Sequence, residues 1–462
     1  MELVNSSLQT TRQKPDVRAA QFLPPGREEL RSVGPAFFWL SAFYLVYCAR
    51  PEDWIPGLYY IPLAKISGIF AVLGMMFSLG KTKRKFRDLP RETIYLLSII
   101  CLMVLAALFS PVWKGGAMFH TLDFAKVLIV FVLTFLLVTD FFKFRRVIFI
   151  QTASVVVVCL ISVAKHGGHP RLEGVLGGIY SNPNDLAFAI VLSMPFCLAF
   201  LLSTRGALRK AVWSVSMLVM LGAVFMTGSR GGFITLVVAG TVLLWHFGVR
   251  GRRMYLIAVA VVAGAILMGL AGGVLRSRFS AMAGGAAAQD VNGYEASAYG
   301  SYEERRQLMI TSLKAISHYP ILGLGSGNFV VYSGAWLEVH AAYLQIAAEV
   351  GIPALVLYLL FFKRGFGNLR KLRKMRDLDP EKKLFVGALH SSLIGFMTGI
   401  CFAPEAYQFF PYFSVAYTAV LLATVTEAPP EAPPVSRPSL NRFEAKSIFA
   451  HLGKVHEPTS VR

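Results

Sequence analysis

Apolar runs separated by short polar segments dominate the chain from Pro35 to Thr426. They fall near residues 35–49, 60–79, 94–110, 122–139, 147–164, 185–203, 211–227, 231–247, 254–275, 339–362, 384–402 and 410–426. The runs are continuous rather than alternating, which predicts helices and excludes a β-barrel. Their lengths suit a hydrocarbon core, so the pattern predicts an all-α, polytopic transmembrane bundle of about 12 spans. The bundle occupies residues 34–426, between a polar tail over 1–33 and a Pro-rich tail over 427–462 that reads as disordered. One interruption, residues 276–338, is far longer than the rest. It closes with PILGLGSGNFVVYSGAWLEVHAAYLQIAAEVG (Pro320 to Gly351), which delivers His340 to the mouth of a span.

Composition agrees with a membrane protein. The 462 residues are 55% hydrophobic and 13% aromatic, with a mean hydropathy of +0.56, more apolar surface than a soluble domain of this length can bury. The net charge of +20 would suit a nucleic-acid partner, but its placement does not. With a cytoplasmic N-terminus, the inner loops are KTKRKFRDLPRE (Lys81 to Glu92), KFRR (Lys143 to Arg146), TRGALRK (Thr204 to Lys210), VRGRR (Val249 to Arg253) and KRGFGNLRKLRKMRDLDPEKK (Lys363 to Lys383). Every one is basic, as the positive-inside rule requires. The bilayer and its anionic headgroups account for the charge, and no nucleic acid is implied. Both termini are therefore expected in the cytoplasm and residues 276–338 outside. The five cysteines lack CxxC spacing, so neither a disulfide framework nor a zinc site is indicated. Residues 1–33 lack the apolar core of a signal peptide, and 35–49 reads as a retained first span.

Four outward segments carry candidate chemistry. The loop KHGGHPRLEGVLGGIYSNPND (Lys165 to Asp185) is glycine-rich; its backbone can approach an anion, Arg171 supplies charge, and Asn184 either joins the site or caps the next helix. TGSRGG (Thr227 to Gly232) is a very short hairpin that places Arg230 at a span boundary, against the charge bias. SYEERRQLMITSLKAISHYP (Ser301 to Pro320) spaces Leu308, Ile310, Leu313 and Ile316 for an amphipathic helix. Arg305 and Arg306 lie in its first turn beside Glu303 and Glu304, and Arg306 reads as a solvated charge. In the closing segment, Gly323, Gly325 and Gly327 precede His340, whose expected helix face also carries Tyr343. GLGSG lacks the lysine and the strand-to-helix context of a phosphate loop. Glu349, two residues before GIP, reads first as a hydrogen-bonding partner within the bundle. Lys65, near the outer end of the second span, either snorkels or touches an anionic ligand.

Arginines around one histidine suit transfer from a diphosphate donor. Guanidinium forks bind diphosphate oxygens bidentately and stay charged. An imidazole with an ordinary pKa of about 6.5 takes a proton from an acceptor hydroxyl. The acidic groups near these arginines are scattered and form no cage for a divalent ion, and no cofactor is expected.

These motifs resemble the O-antigen ligase and O-antigen polymerase superfamily of bacterial envelopes. The resemblance rests on GIYSNPNDLA, TGSRGG, an arginine followed by a helix and P-x-x-G-x-G, and a span that starts with His and continues to E-x-G-I. It implies a GT-C-like, metal-independent glycosyltransferase of the inner membrane. Such an enzyme moves a glycan from an undecaprenyl diphosphate carrier to a periplasmic acceptor, either lipid A core in the ligase branch or another lipid-linked repeat unit in the polymerase branch. Carried onto this chain, the catalytic histidine falls on His340 and the diphosphate-binding arginines on Arg230 and Arg305. Members commonly place Asn after the histidine; here Ala341 follows, so the acceptor side departs from the pattern. Two readings from other classes stay open: a transporter of an inorganic anion with Glu349 or His390 as coupling site, and a scaffold subunit with no catalytic histidine.

Overall fold

A computed structural model describes residues 27–78, 82–167, 171–174, 179–180, 182–270, 273 and 293–427. The expected tails up to residue 26 and from residue 428 lie outside the described residues, as do 276–292 of the long interruption and parts of the 165–185 loop. The described residues form helices and no strand. In chain order these are α1 (Arg27–Ala49), α2 (Leu63–Phe77), α3 (Arg91–Leu108), α4 (Lys114–Leu137), α5 (Phe141–Ala164), α6 (Pro183–Ser203), α7 (Ala207–Thr227), α8 (Arg230–Leu244), α9 (Tyr255–Leu270), α10 (Gly293–His318), α11 (Phe329–Ser333), α12 (Ala342–Glu349), α13 (Ile352–Lys374), α14 (Pro380–Gly399) and α15 (Phe409–Glu427). A π-helical turn, Trp245–Val249, extends α8.

Eight of these helices are long and apolar enough to cross a membrane: α3 to α7, α8 with its π turn, α13 and α15. Shorter apolar helices are Gly34–Ala49 within α1, α2 and α9. The expected span over 339–362 is not one helix. It divides at Gly351, which adopts φ +93 with a Cβ position only 2.0 Å from the Ile321 carbonyl oxygen. Only glycine fits there. The crossing helix is α13, and α12 is a separate short element. The amphipathic helix is longer than its sequence pattern suggests, and its inward face is Leu308, Ser312 and Ala315, whereas Leu313 is exposed.

At the centre stands α6, 83% buried in its most apolar window. Pro183 opens it, and Asn182 caps it by accepting from the Asn184 amide at 2.9 Å. Pro195 within α6 leaves the Val191 carbonyl without its helical donor. At the next carbonyl, Leu192, the Ser392 hydroxyl of α14 donates at 2.8 Å, which ties the two helices together.

Side-chain contacts sort the helix ends into two groups. At the basic end, Arg84 is buried, donating to the carbonyls of Phe135 at 2.8 Å and Val138 at 2.9 Å and to the Thr424 hydroxyl at 3.1 Å. There too, Arg145 at the start of α5 pairs with Glu381 at the start of α14 at 2.8 Å. The opposite end collects the starts of α4, α6, α8 and α12 and the ends of α3, α7 and α14.

That sorting makes Ser333 and Ala207 reporters of opposite faces. In a background without native cysteines, Ser333→Cys is expected to react with an impermeant maleimide in intact spheroplasts, and Ala207→Cys only after lysis. Equal labelling of both before lysis would sink the two-ended arrangement.

Candidate active site

Much of the segment between α10 and α12 lacks helical hydrogen bonds, so its backbone polar groups need partners near the membrane. Leu324 and Gly325 donate their amides to the carbonyls of Ala348 (2.9 Å) and Glu349 (2.8 Å) at the end of α12, and Ile352 donates to Pro320 (2.8 Å). The Glu349 carboxylate accepts from the amides of Gly327 (2.9 Å) and Phe329 (3.4 Å) and from the Tyr407 hydroxyl (2.7 Å). Asn328 donates through Nδ2 to the Ser110 hydroxyl, the Trp113 carbonyl and the Leu324 carbonyl. The segment is thereby fastened to the α3–α4 turn on one side and to α12 on the other. Gly323, Gly325 and Gly327 all have positive φ, and Cβ atoms there would strike Glu349, Ala117 and His120 respectively. They serve close packing, and the GLGSG run leads only into the five-residue α11, with neither the strand nor the lysine of a phosphate loop.

His340 lies just before α12 in non-helical backbone, so it does not share a helix face with Tyr343. Two contacts hold it against the end of α14: Ala342 donates its amide to Ile400 at 2.8 Å, and the Tyr343 hydroxyl donates to Met397 at 2.8 Å. Nδ1 of His340 lies 3.0 Å from the Glu338 carbonyl. A carbonyl only accepts, so Nδ1 carries the proton and Nε2 presents a lone pair. Burial first, and then the Arg305 guanidinium, push this imidazole down to about 4. Arg305 is thus the arginine of α10 that acts on the ring, whereas exposed Arg306 pairs with Glu303 at 3.3 Å.

Arg230 is the first residue of α8, capped by Ser229, whose hydroxyl accepts from the Gly232 amide at 3.1 Å. Gly231 packs so closely on Phe402 that a Cβ would lie 2.9 Å from that side chain. The turn after α14 therefore has Arg230 on one side and the His340 segment on the other. Arg171 donates Nε to the Thr227 carbonyl at 2.8 Å and Nη2 to Asn184 Oδ1 at 3.2 Å, and the Ser229 hydroxyl donates to that same oxygen at 2.8 Å. Arg171 and Asn184 thus hold the hairpin that carries Arg230. Lys65 is exposed on α2, which packs against α1 and α4, and is not gathered with these groups.

Three carboxyls gather here that sequence reasoning passed over as sites: Asp185, Glu338 and Glu405. Asp185, at the start of α6, and Glu405, in the α14–α15 connection, lie against each other. Burial, and then the Asp185 charge, raise Glu405 well above the carboxylate range and Glu338 to about 7. The one available signal was an acidic residue at the mouth of an apolar span, as in FAPEAY (Phe402 to Tyr407). Among the described residues, no group of three His, Cys, Asp or Glu is placed to hold a metal ion.

The Glu349 contacts predict a stability effect. Glu349→Gln keeps one acceptor oxygen and turns an amide toward a donor, so unfolding in detergent is expected to lose about 3 kcal/mol, as for charge-assisted bonds left unmade. An unchanged unfolding temperature would remove Glu349 from its anchoring role.

Comparison with curated proteins gives no match. Residues 215–359, from within α7 to within α13, match the family model described as O-antigen ligase. The matched segment contains Arg230, Arg305 and His340 and excludes Lys65, Arg171 and Asn184. This O-antigen ligase domain supports the superfamily that the motifs resemble, that of the O-antigen ligases and polymerases.

Proposed function

We propose that the chain is a GT-C-like glycosyltransferase of the bacterial inner membrane. It transfers a glycan from an undecaprenyl diphosphate carrier to an acceptor hydroxyl on the periplasmic side, as a ligase or a repeat-unit polymerase. The observation that carries this reading is the posture of His340: Nδ1 engaged by the Glu338 carbonyl, Nε2 left as a base, and Arg305 acting on the ring. In this reaction the acceptor oxygen bonds to the anomeric carbon as that carbon's bond to the diphosphate oxygen breaks. The acceptor proton goes to His340 Nε2, and the bond electrons stay on the departing diphosphate. Arg230 and Arg305 take up that charge, with Arg171 and Asn184 steadying the hairpin under Arg230. Among the described residues no three-ligand set is placed, the proposed charge stabilisation rests on the guanidinium groups, and activity is expected to persist in excess EDTA.

The depressed basicity of His340 moves the expected pH dependence. An ordinary imidazole would lose its lone pair near pH 6.5; here the base form persists until about pH 4. A bound diphosphate adds negative charge beside Arg305, which favours the protonated ring. Hence kcat/KM is expected to fall on acidification only near pH 4, and kcat, which reports the bound complex, at a higher pH. Removing the positive neighbour in Arg305→Gln raises the free-enzyme inflection. An inflection in kcat/KM that stays in place on that substitution, measured with lipid-linked glycan in liposomes, would separate Arg305 from the base.

Substitution divides the roles further. His340→Ala is expected to lose about 100-fold or more, as for a general base. Arg230→Ala and Arg305→Ala are expected to lose on the order of 2 to 4 kcal/mol of transition-state stabilisation, and the Lys variants to retain part of it because a point charge lacks the fork. Wild-type transfer by both Ala variants at equal expression, or by His340→Ala, contradicts the assignment.

A further inference from the structure

At the end of α8 opposite Arg230, the helix widens into the π turn Trp245–Val249, a form that is rare and commonly functional. His246 in that turn and His390 of α14 meet with Nε2 and Nδ1 2.9 Å apart and rings perpendicular at 84°. Phe366 of α13 stands edge-on to His390, 6.0 Å between centroids. The close approach of α14 to the π turn depends on Gly387, where a Cβ would lie 2.7 Å from the Phe247 ring. Arg373 of α13 acts electrostatically on both histidines, and Arg250, just past the π turn, acts on His246. Both rings are partly accessible, and both arginines are exposed. Neither histidine takes part in the transfer chemistry at the other end of the bundle.

Depth points to what meets this group. His246 lies three residues inside the end of the apolar span Arg230–Val249, about 5 Å at the helical rise. Beside it Trp245 is 59% exposed, and indole rings at such positions mark headgroup level. The ring nitrogens outside that contact, His246 Nδ1 and His390 Nε2, and the two guanidinium groups are the donors available to a lipid phosphate at that level. In its neutral form the pair holds two protons, one in the shared bond and one on an outward nitrogen. Uptake of a third makes both outward nitrogens donors, and a neighbouring anion favours that uptake.

We propose that His246, His390, Arg250 and Arg373 form a binding site for the phosphate of an anionic phospholipid from the leaflet at the basic end. The site is independent of the transferase reading. The test uses the full-length protein in detergent, titrated with phosphatidylglycerol, with phosphatidylcholine or with inorganic phosphate. Unfolding temperature and bound lipid by native mass spectrometry are the readouts. Phosphatidylglycerol is expected to stabilise the wild-type protein more than phosphatidylcholine does, and His390→Gln and Arg373→Gln each to weaken its binding about tenfold, the scale of a lost charge-assisted contact. Competition by inorganic phosphate assigns recognition to the phosphate alone, and its failure to compete assigns it to the whole lipid; the site stands in both cases. Equal response to the two phospholipids, or unchanged affinity in Arg373→Gln, overturns it. Arg373 is exposed, so that variant decides even if His390→Gln misfolds.

Discussion

Backbone without regular structure survives at the edge of a membrane only when every N–H and C=O finds an internal partner. Here that requirement falls on one carboxylate. Glu349 accepts the Gly327 amide just before α11, the Phe329 amide that opens α11 and a hydroxyl from the α14–α15 connection, and its own carbonyl accepts a third amide, that of Gly325. The position of His340 follows from this anchorage. With one end of α12 fixed by Glu349 and the other by the Ile400 and Met397 carbonyls, the imidazole has little freedom left.

On the proposed reading, the candidate site is an anion receptor before the anion arrives. Burial and then the Arg305 guanidinium make the ring a weak base, and the Asp185, Glu338 and Glu405 carboxyls lie nearby. On the proposed mechanism a bound diphosphate opposes the Arg305 charge, and the imidazole is more basic in that complex than in the resting protein.

Helices of the bundle were legible because continuous apolar runs need no tertiary information, and the two-ended charge pattern follows from loop composition alone. Arg230, Arg305 and His340 stand out as candidates in the sequence because ionisable groups at span boundaries are costly without a reason. The break at Gly351 was not legible, since the residues on both sides are as apolar as a crossing helix and only the approach of the Ile321 carbonyl dictates it. Nor was the occupation of Arg171 by the Thr227 carbonyl, or the meeting of Asp185 with Glu405, because these partners are distant in sequence. For the same reason Leu313 faces outward and Ser312 inward on α10: a period near 3.6 fixes a stripe but not which neighbour it meets.

In a continuous helix, each residue inserted or removed rotates everything beyond it by about 100°. The interruption at Gly351 makes α12 a separate body whose orientation is set by α14 and by the 320–329 backbone. A residue inserted or removed within α13 therefore does not rotate α12 as it would in one continuous helix. The break at Gly351 thus frees the register of α12 from that of the crossing helix, two settings that a single straight span would have forced to change together.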